Sequence, residues 1–67
     1  MTLTINGRQM EVPNTVTHVK SLLSHLNLEN KITVVELNNE IIEKAAHAEQ
    51  ALTDGDRVEI VHFIGGG

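Results

Sequence analysis

The sequence predicts an α+β domain of two layers, a mixed sheet of four to five strands packed on one helix. Three observations predict it. Apolar residues alternate with a period of two near both ends of the chain, one stretch between them has helical spacing, and turn-forming residues stand at the joints. The 67 residues hold one compact domain, which excludes a separate substrate domain, a dinucleotide-binding fold or a barrel.

Thr2-Leu3-Thr4-Ile5 alternates polar with apolar, and Met10 and Val12 resume the alternation after Asn6-Gly7, a dipeptide suited to the positive φ angles of a type I′ turn. This is a β-hairpin. Pro13-Asn14 ends it, and Thr15 or Thr17 is placed to cap a helix whose buried stripe is Val19, Leu22, Leu23 and Leu26. The helix should stop between Asn27 and Asn30, where asparagine can take the left-handed conformation. Lys31 to Leu37 is rich in β-branched residues and reads as a strand, turned at Asn38-Asn39 into a short return strand at Ile41-Ile42. The alanines between Glu40 and Leu52 favour helical turns after that strand, with Ile41, Ala45 and Ala48 on one face. Thr53-Asp54-Gly55-Asp56 is a turn, and Arg57 to Ile64 is the last strand. If that strand lies beside the first, the two run parallel, because a long crossover carrying the helix joins them.

Five Lys and Arg against nine Asp and Glu give a formal charge of −4, which argues against a nucleic-acid partner. The N-terminus has neither a basic nor an apolar leader segment, and no run of consecutive apolar residues exceeds two. A cytoplasmic protein that neither spans nor binds a membrane is expected. Zero cysteines remove disulfides, thiolate metal sites and a cysteine nucleophile, so any sulfur chemistry needs imported sulfur.

Side-chain catalysis has little support: there is no nucleophile elbow, phosphate loop or paired-histidine zinc motif, and the chain is not expected to be an enzyme. His18 and His25 lack a third ligand, His47 and His62 suit packing or solvent roles, and Asp54 and Asp56 suit a turn. The end of the chain is different. Gly65-Gly66-Gly67 follows the last strand with no helix to cap and no strand to turn into. Without Cβ atoms, an extended glycine segment can thread a slot that excludes other residues and carry the Gly67 carboxylate into an enzyme. Residues 1–64 are therefore expected to form the domain and 65–67 a flexible C-terminal tail. With Val58 and Ile60 facing the helix, the period of two puts Val61 and Phe63 on the opposite face, joined by Val34 if Val35 and Leu37 point inward. An apolar patch beside a carboxylate-bearing tail suits a carrier that docks on a partner.

The opening Leu3-Thr4-Ile5-Asn6-Gly7, the segment Val34 to Asn38 with Glu40-Ile41-Ile42, the Leu52 to Asp56 turn, and Val58 to Gly67 together resemble the ThiS family, sulfur carriers of thiamine biosynthesis. The likeness covers essentially the whole chain. It implies the β-grasp, ubiquitin-like fold, which agrees with the order of elements above. It also implies that an E1-like adenylyltransferase, ThiF, uses ATP and magnesium to adenylate the Gly67 carboxylate, with no cofactor bound by the carrier itself. A cysteine-derived sulfur donor then yields a thiocarboxylate, and thiazole synthase, ThiG, takes the sulfur. Gly65 and Gly66 match the threading segment; Val34, Val61 and Phe63 match partner-binding positions. Two related readings share the terminal chemistry: a carrier resembling the molybdopterin synthase small subunit, and a ubiquitin-like protein modifier.

Overall fold

The computed structural model describes residues 1–63 of the chain. Five strands form one sheet: β1 (Thr2–Ile5), β2 (Arg8–Glu11), β3 (Ile32–Leu37), β4 (Glu40–Ile42) and β5 (Arg57–Phe63), in the spatial order β2-β1-β5-β3-β4. One helix, α1 (Val19–His25), lies between β2 and β3 in sequence, and a 3-10 turn spans Lys44–Ala46. β1 and β5 run parallel and the other pairs antiparallel, so the sheet is mixed as expected.

Two asparagine turns set the hairpins. Asn6 and Gly7 have φ of 50° and 83°, and Asn38 and Asn39 have 49° and 73°, the paired positive angles that match the twist of two-residue hairpins. The C-terminal end of α1 uses the same property. Asn27, at φ 60°, turns the chain so that its N–H reaches the Ser24 carbonyl at 3.0 Å while the Leu28 N–H reaches that of Leu23 at 2.8 Å. These two bonds satisfy carbonyls that the helix end leaves open.

The N-terminal end of α1 departs from expectation. Neither Thr15 nor Thr17 is the cap: the extended residue before the helix is His18, and the Thr17 hydroxyl is taken by the His18 ring at 2.8 Å. Ser21 does the work in reverse, its hydroxyl accepting from the His18 N–H and donating to the His18 carbonyl. The segment after β4 makes helical turns as expected, of the 3-10 kind at Lys44–Ala46; Ala46 and His47 turn inward behind the buried Ile42 of β4, and Ile41, Ala45 and Ala48 stay exposed. Met10 pairs with Leu3 but is 37% exposed, because β2 is an edge strand whose four residues are all exposed.

Leu3, Val16, Val19, Leu22, Val35 and Val58 are essentially sealed from solvent and fill the space between α1 and one face of the sheet. The opposite face has no covering layer among the described residues. No helix there is long and apolar enough to cross a membrane.

Candidate functional site

β5 is the central strand, and it leads toward the chain terminus. On one side it pairs with the whole of β3, from Leu37 with Val58 to Ile32 with Phe63. On the other side the β1 ladder stops at Ile5 opposite Val58. Asn6 extends it with a side chain: its Oδ1 accepts from the Ile60 N–H at 2.7 Å and its Nδ2 donates to the Ile60 carbonyl at 3.0 Å. The amide thus imitates a strand residue and holds β5 one step beyond the end of β1.

The start of β5 is fixed just as closely. Asp56 accepts from the Thr53 N–H at 2.8 Å, the Thr53 hydroxyl at 3.0 Å and the Asn38 amide at 3.1 Å, while the Arg57 N–H donates to Asn38 Oδ1 at 2.9 Å. Burial pushes the Asp56 carboxyl up, but the hydrogen bonds from Thr53 and Asn38 together outweigh it and hold the group below the usual aspartate range. Asp54 accepts from the Thr2 N–H at 2.7 Å and ties the turn to β1. Both aspartates are therefore structural, members of the turn that starts β5.

The register brings the expected apolar residues together. Val34 sits directly opposite Val61, and Phe63 is two residues further along the same face of β5. Val58 and Ile60 are buried on the helix side, whereas Val34, Val61 and Phe63 are 41%, 59% and 55% exposed on the open side. Sequence reasoning missed two members of this patch. Ile32, 73% exposed, lies opposite Phe63 and two residues before Val34, so the same period of two could have found it. Ile41, 68% exposed, lies opposite Glu36; only the β3–β4 register places it on this face. Glu36 and Glu59 face each other across the strands in the same layer. Gly65, Gly66 and Gly67 lie outside the described residues.

The histidines do not converge. His18 precedes α1 and His25 ends it, and a rise of about 1.5 Å per residue separates them by about 10 Å along the axis, too far to share an ion. His47 is buried, and His62 is exposed on β5. Among the described residues no three metal-ligating side chains come together.

Comparison with known proteins agrees with this geometry. The ThiS family pattern matches residues 3–67. The sulfur carrier protein ThiS of Bacillus subtilis is 45% identical over 65 residues, covering 97% of this chain and 98% of that protein. A thiazole synthase of Paramagnetospirillum magneticum is 43% identical over 67 residues, all of this chain but only 20% of that longer protein. The crystal structure of the thiamine biosynthesis protein ThiS of Geobacter metallireducens superposes with a TM-score of 0.82 at 39% identity, over the whole of both chains. The chain belongs to the ThiS family: it is a β-grasp sulfur carrier protein of thiamine biosynthesis, a carrier and not a catalyst.

Proposed function

We propose that this chain carries sulfur on its terminal glycine, with residues 1–64 as a rigid body and 65–67 as a flexible leash. A carboxylate is a poor electrophile, so activation must precede sulfur transfer. An E1-like adenylyltransferase, ThiF, converts the Gly67 carboxylate and ATP into an acyl adenylate and pyrophosphate, using magnesium held by the enzyme. Sulfur from a cysteine-derived donor then displaces AMP and leaves a thiocarboxylate. Thiazole synthase, ThiG, accepts that sulfur. Gly65 and Gly66 pass through the narrow approach to each active site because neither carries a Cβ. The need for ATP fits a carrier that works in the cytoplasm.

The observation that carries this reading is the apolar patch of Val34, Val61 and Phe63, exposed on the same strand pair that leads into the tail. A partner that covers the patch is positioned to receive the terminus. That a thiazole synthase contains a segment 43% identical to the whole of this chain supports thiazole synthase as one such partner.

Intact mass spectrometry tests the chemistry. Incubated with the activating enzyme, magnesium-ATP and a cysteine-derived sulfur source, the chain should exchange one oxygen for sulfur. Gly66→Val, or deletion of Gly67, should abolish the exchange while leaving the melting temperature unchanged. Exchange retained in Gly66→Val contradicts threading, and lysine-linked conjugates would identify a modifier instead.

A further inference from the structure

Three of the five cationic side chains gather around one cleft on the helix side of the sheet. Lys20 comes from α1, Lys31 from the residue before β3, and Lys44 from the 3-10 turn. Glu29 is the one carboxylate among the described residues lining this cleft. In a chain of formal charge −4, this concentrates positive charge at one place. The cleft measures about 320 Å³, within the range of small-ligand sites, and Leu23 and Leu28 give it an apolar wall.

His47 supplies a second, independent feature. It lines the same cleft and is only 6% exposed. Its Nε2 lies 3.1 Å from the Ile42 carbonyl. A carbonyl only accepts, so Nε2 carries a hydrogen, and in the neutral ring Nδ1 is a free acceptor. Nδ1 has no hydrogen-bond partner among the described residues, yet no buried side-chain nitrogen or oxygen there is left unpaired, so it is reached from outside.

We propose that this cleft binds a phosphomonoester with an apolar body, the phosphate held among Lys20, Lys31 and Lys44 and the body set against Leu23 and Leu28. One ammonium suffices for a carboxylate; three around a single site match a group carrying nearly two negative charges on three oxygens. Near neutral pH a phosphomonoester exists as both monoanion and dianion. The monoanion donates its O–H to the free acceptor His47 Nδ1, and the lysines take the remaining phosphate oxygens. The charged groups that line the cleft with His47 are Lys20 from the helix, Lys31 from the strand side, Lys44 from its own turn and Glu29 from the connecting loop. The site lies across the sheet from Val34, Val61 and Phe63, so it does not depend on the fate of Gly67, and ligand and docked partner do not compete.

Titration of the full ¹⁵N-labelled chain with sodium phosphate and with phenyl phosphate, at constant ionic strength and neutral pH, tests the assignment. Saturable shifts are expected at Lys20, Lys31, Lys44 and His47, with the His47 Nδ1 resonance perturbed as a hydrogen bond forms there. Phenyl phosphate should bind about threefold or more tighter than phosphate, reflecting its apolar ring. The double variant K31Q/K44Q should weaken binding about fivefold or more, as expected for two partly exposed charge contacts. Unchanged affinity in K31Q/K44Q, or shifts that rise linearly as they do with chloride, overturns the site. Acetate binding as tightly as phosphate overturns the ligand class.

Discussion

Replacing Phe63 by alanine separates what the open face does for folding from what it does for docking. Phe63 keeps 55% of its surface exposed, whereas Leu22 keeps none. Burying a large apolar side chain completely contributes roughly 1.5–3 kcal/mol. Phe63 is covered over a little under half its surface, so its truncation should cost about 1 kcal/mol. Truncating Leu22 leaves a cavity and should cost about 2–5 kcal/mol. In a domain this small each kcal/mol moves the melting temperature by about 4–8 °C. Binding reverses the order. An aromatic whose remaining surface a partner covers is worth about 2 kcal/mol, or about thirtyfold in Kd. Calorimetric melting of both variants, with isothermal titration against the two proposed partners, thiazole synthase and an E1-like activating enzyme, supplies the two readouts. A melting temperature for Phe63→Ala as low as that for Leu22→Ala would put Phe63 among the core residues. An unchanged Kd for both partners would remove the open face from docking.

Two further predictions concern the anchors of β5. Asn6→Ala removes both hydrogen bonds to Ile60 and leaves alanine at φ 50°, so it should cost about 2–3 kcal/mol and speed amide exchange at Ile60. Asn6→Gly tolerates that angle and should cost less; equal losses would mean that the angle carries no strain. The Asp56 carboxyl is depressed in the folded state, so the stability it adds is fully present above the ordinary aspartate range and is lost as the pH falls through its folded value. Urea midpoints should therefore fall on acidification below that range, and Asp56→Asn should flatten this part of the profile. An identical acid slope in the variant would show that other carboxylates set it.

The parts of the fold that the sequence makes legible are those in which one residue type answers one local demand. Asn6-Gly7, Asn38-Asn39 and Asn27 all take positive φ, and turn chemistry alone locates them. The stripe from Val19 to Leu23 and the alternation of β5 are equally direct, since a period fixes which face is buried. What was hidden depends on contacts between elements. His18 could not be read as the residue that starts α1, because Ser21, a side chain inside the helix, closes that end. Asn6 reads as a turn residue, and its second role emerges only when β5 lies beside β1. The alanines after Glu40 indicate helical turns but not their 3-10 pitch, and it is the structure that shows His47 turned inward after Lys44–Ala46, where it lines the lysine cleft. The apolar patch of the open face is half legible: parity reaches Val34, Val61 and Phe63, whereas Ile41 needs the pairing of β4.

Glu36 and Glu59 pose a question that burial alone does not answer. They stand directly opposite each other on the open face, and like charges so placed oppose folding by roughly 0.2–1 kcal/mol. Their position suggests what offsets this cost. Ile32, Val34, Ile41, Val61 and Phe63 would otherwise form an unbroken apolar surface on a sheet with two free edges, the arrangement by which sheets associate with copies of themselves. A pair of carboxylates in the middle of that layer makes face-to-face stacking of two identical chains bring four negative charges together. Replacing both with glutamine should therefore raise the urea midpoint of the monomer, more at low salt than at high, and at the same time promote self-association visible by sedimentation at high protein concentration. A double variant that is no more stable, yet still monomeric, would show that the two carboxylates avoid each other in solution and guard nothing.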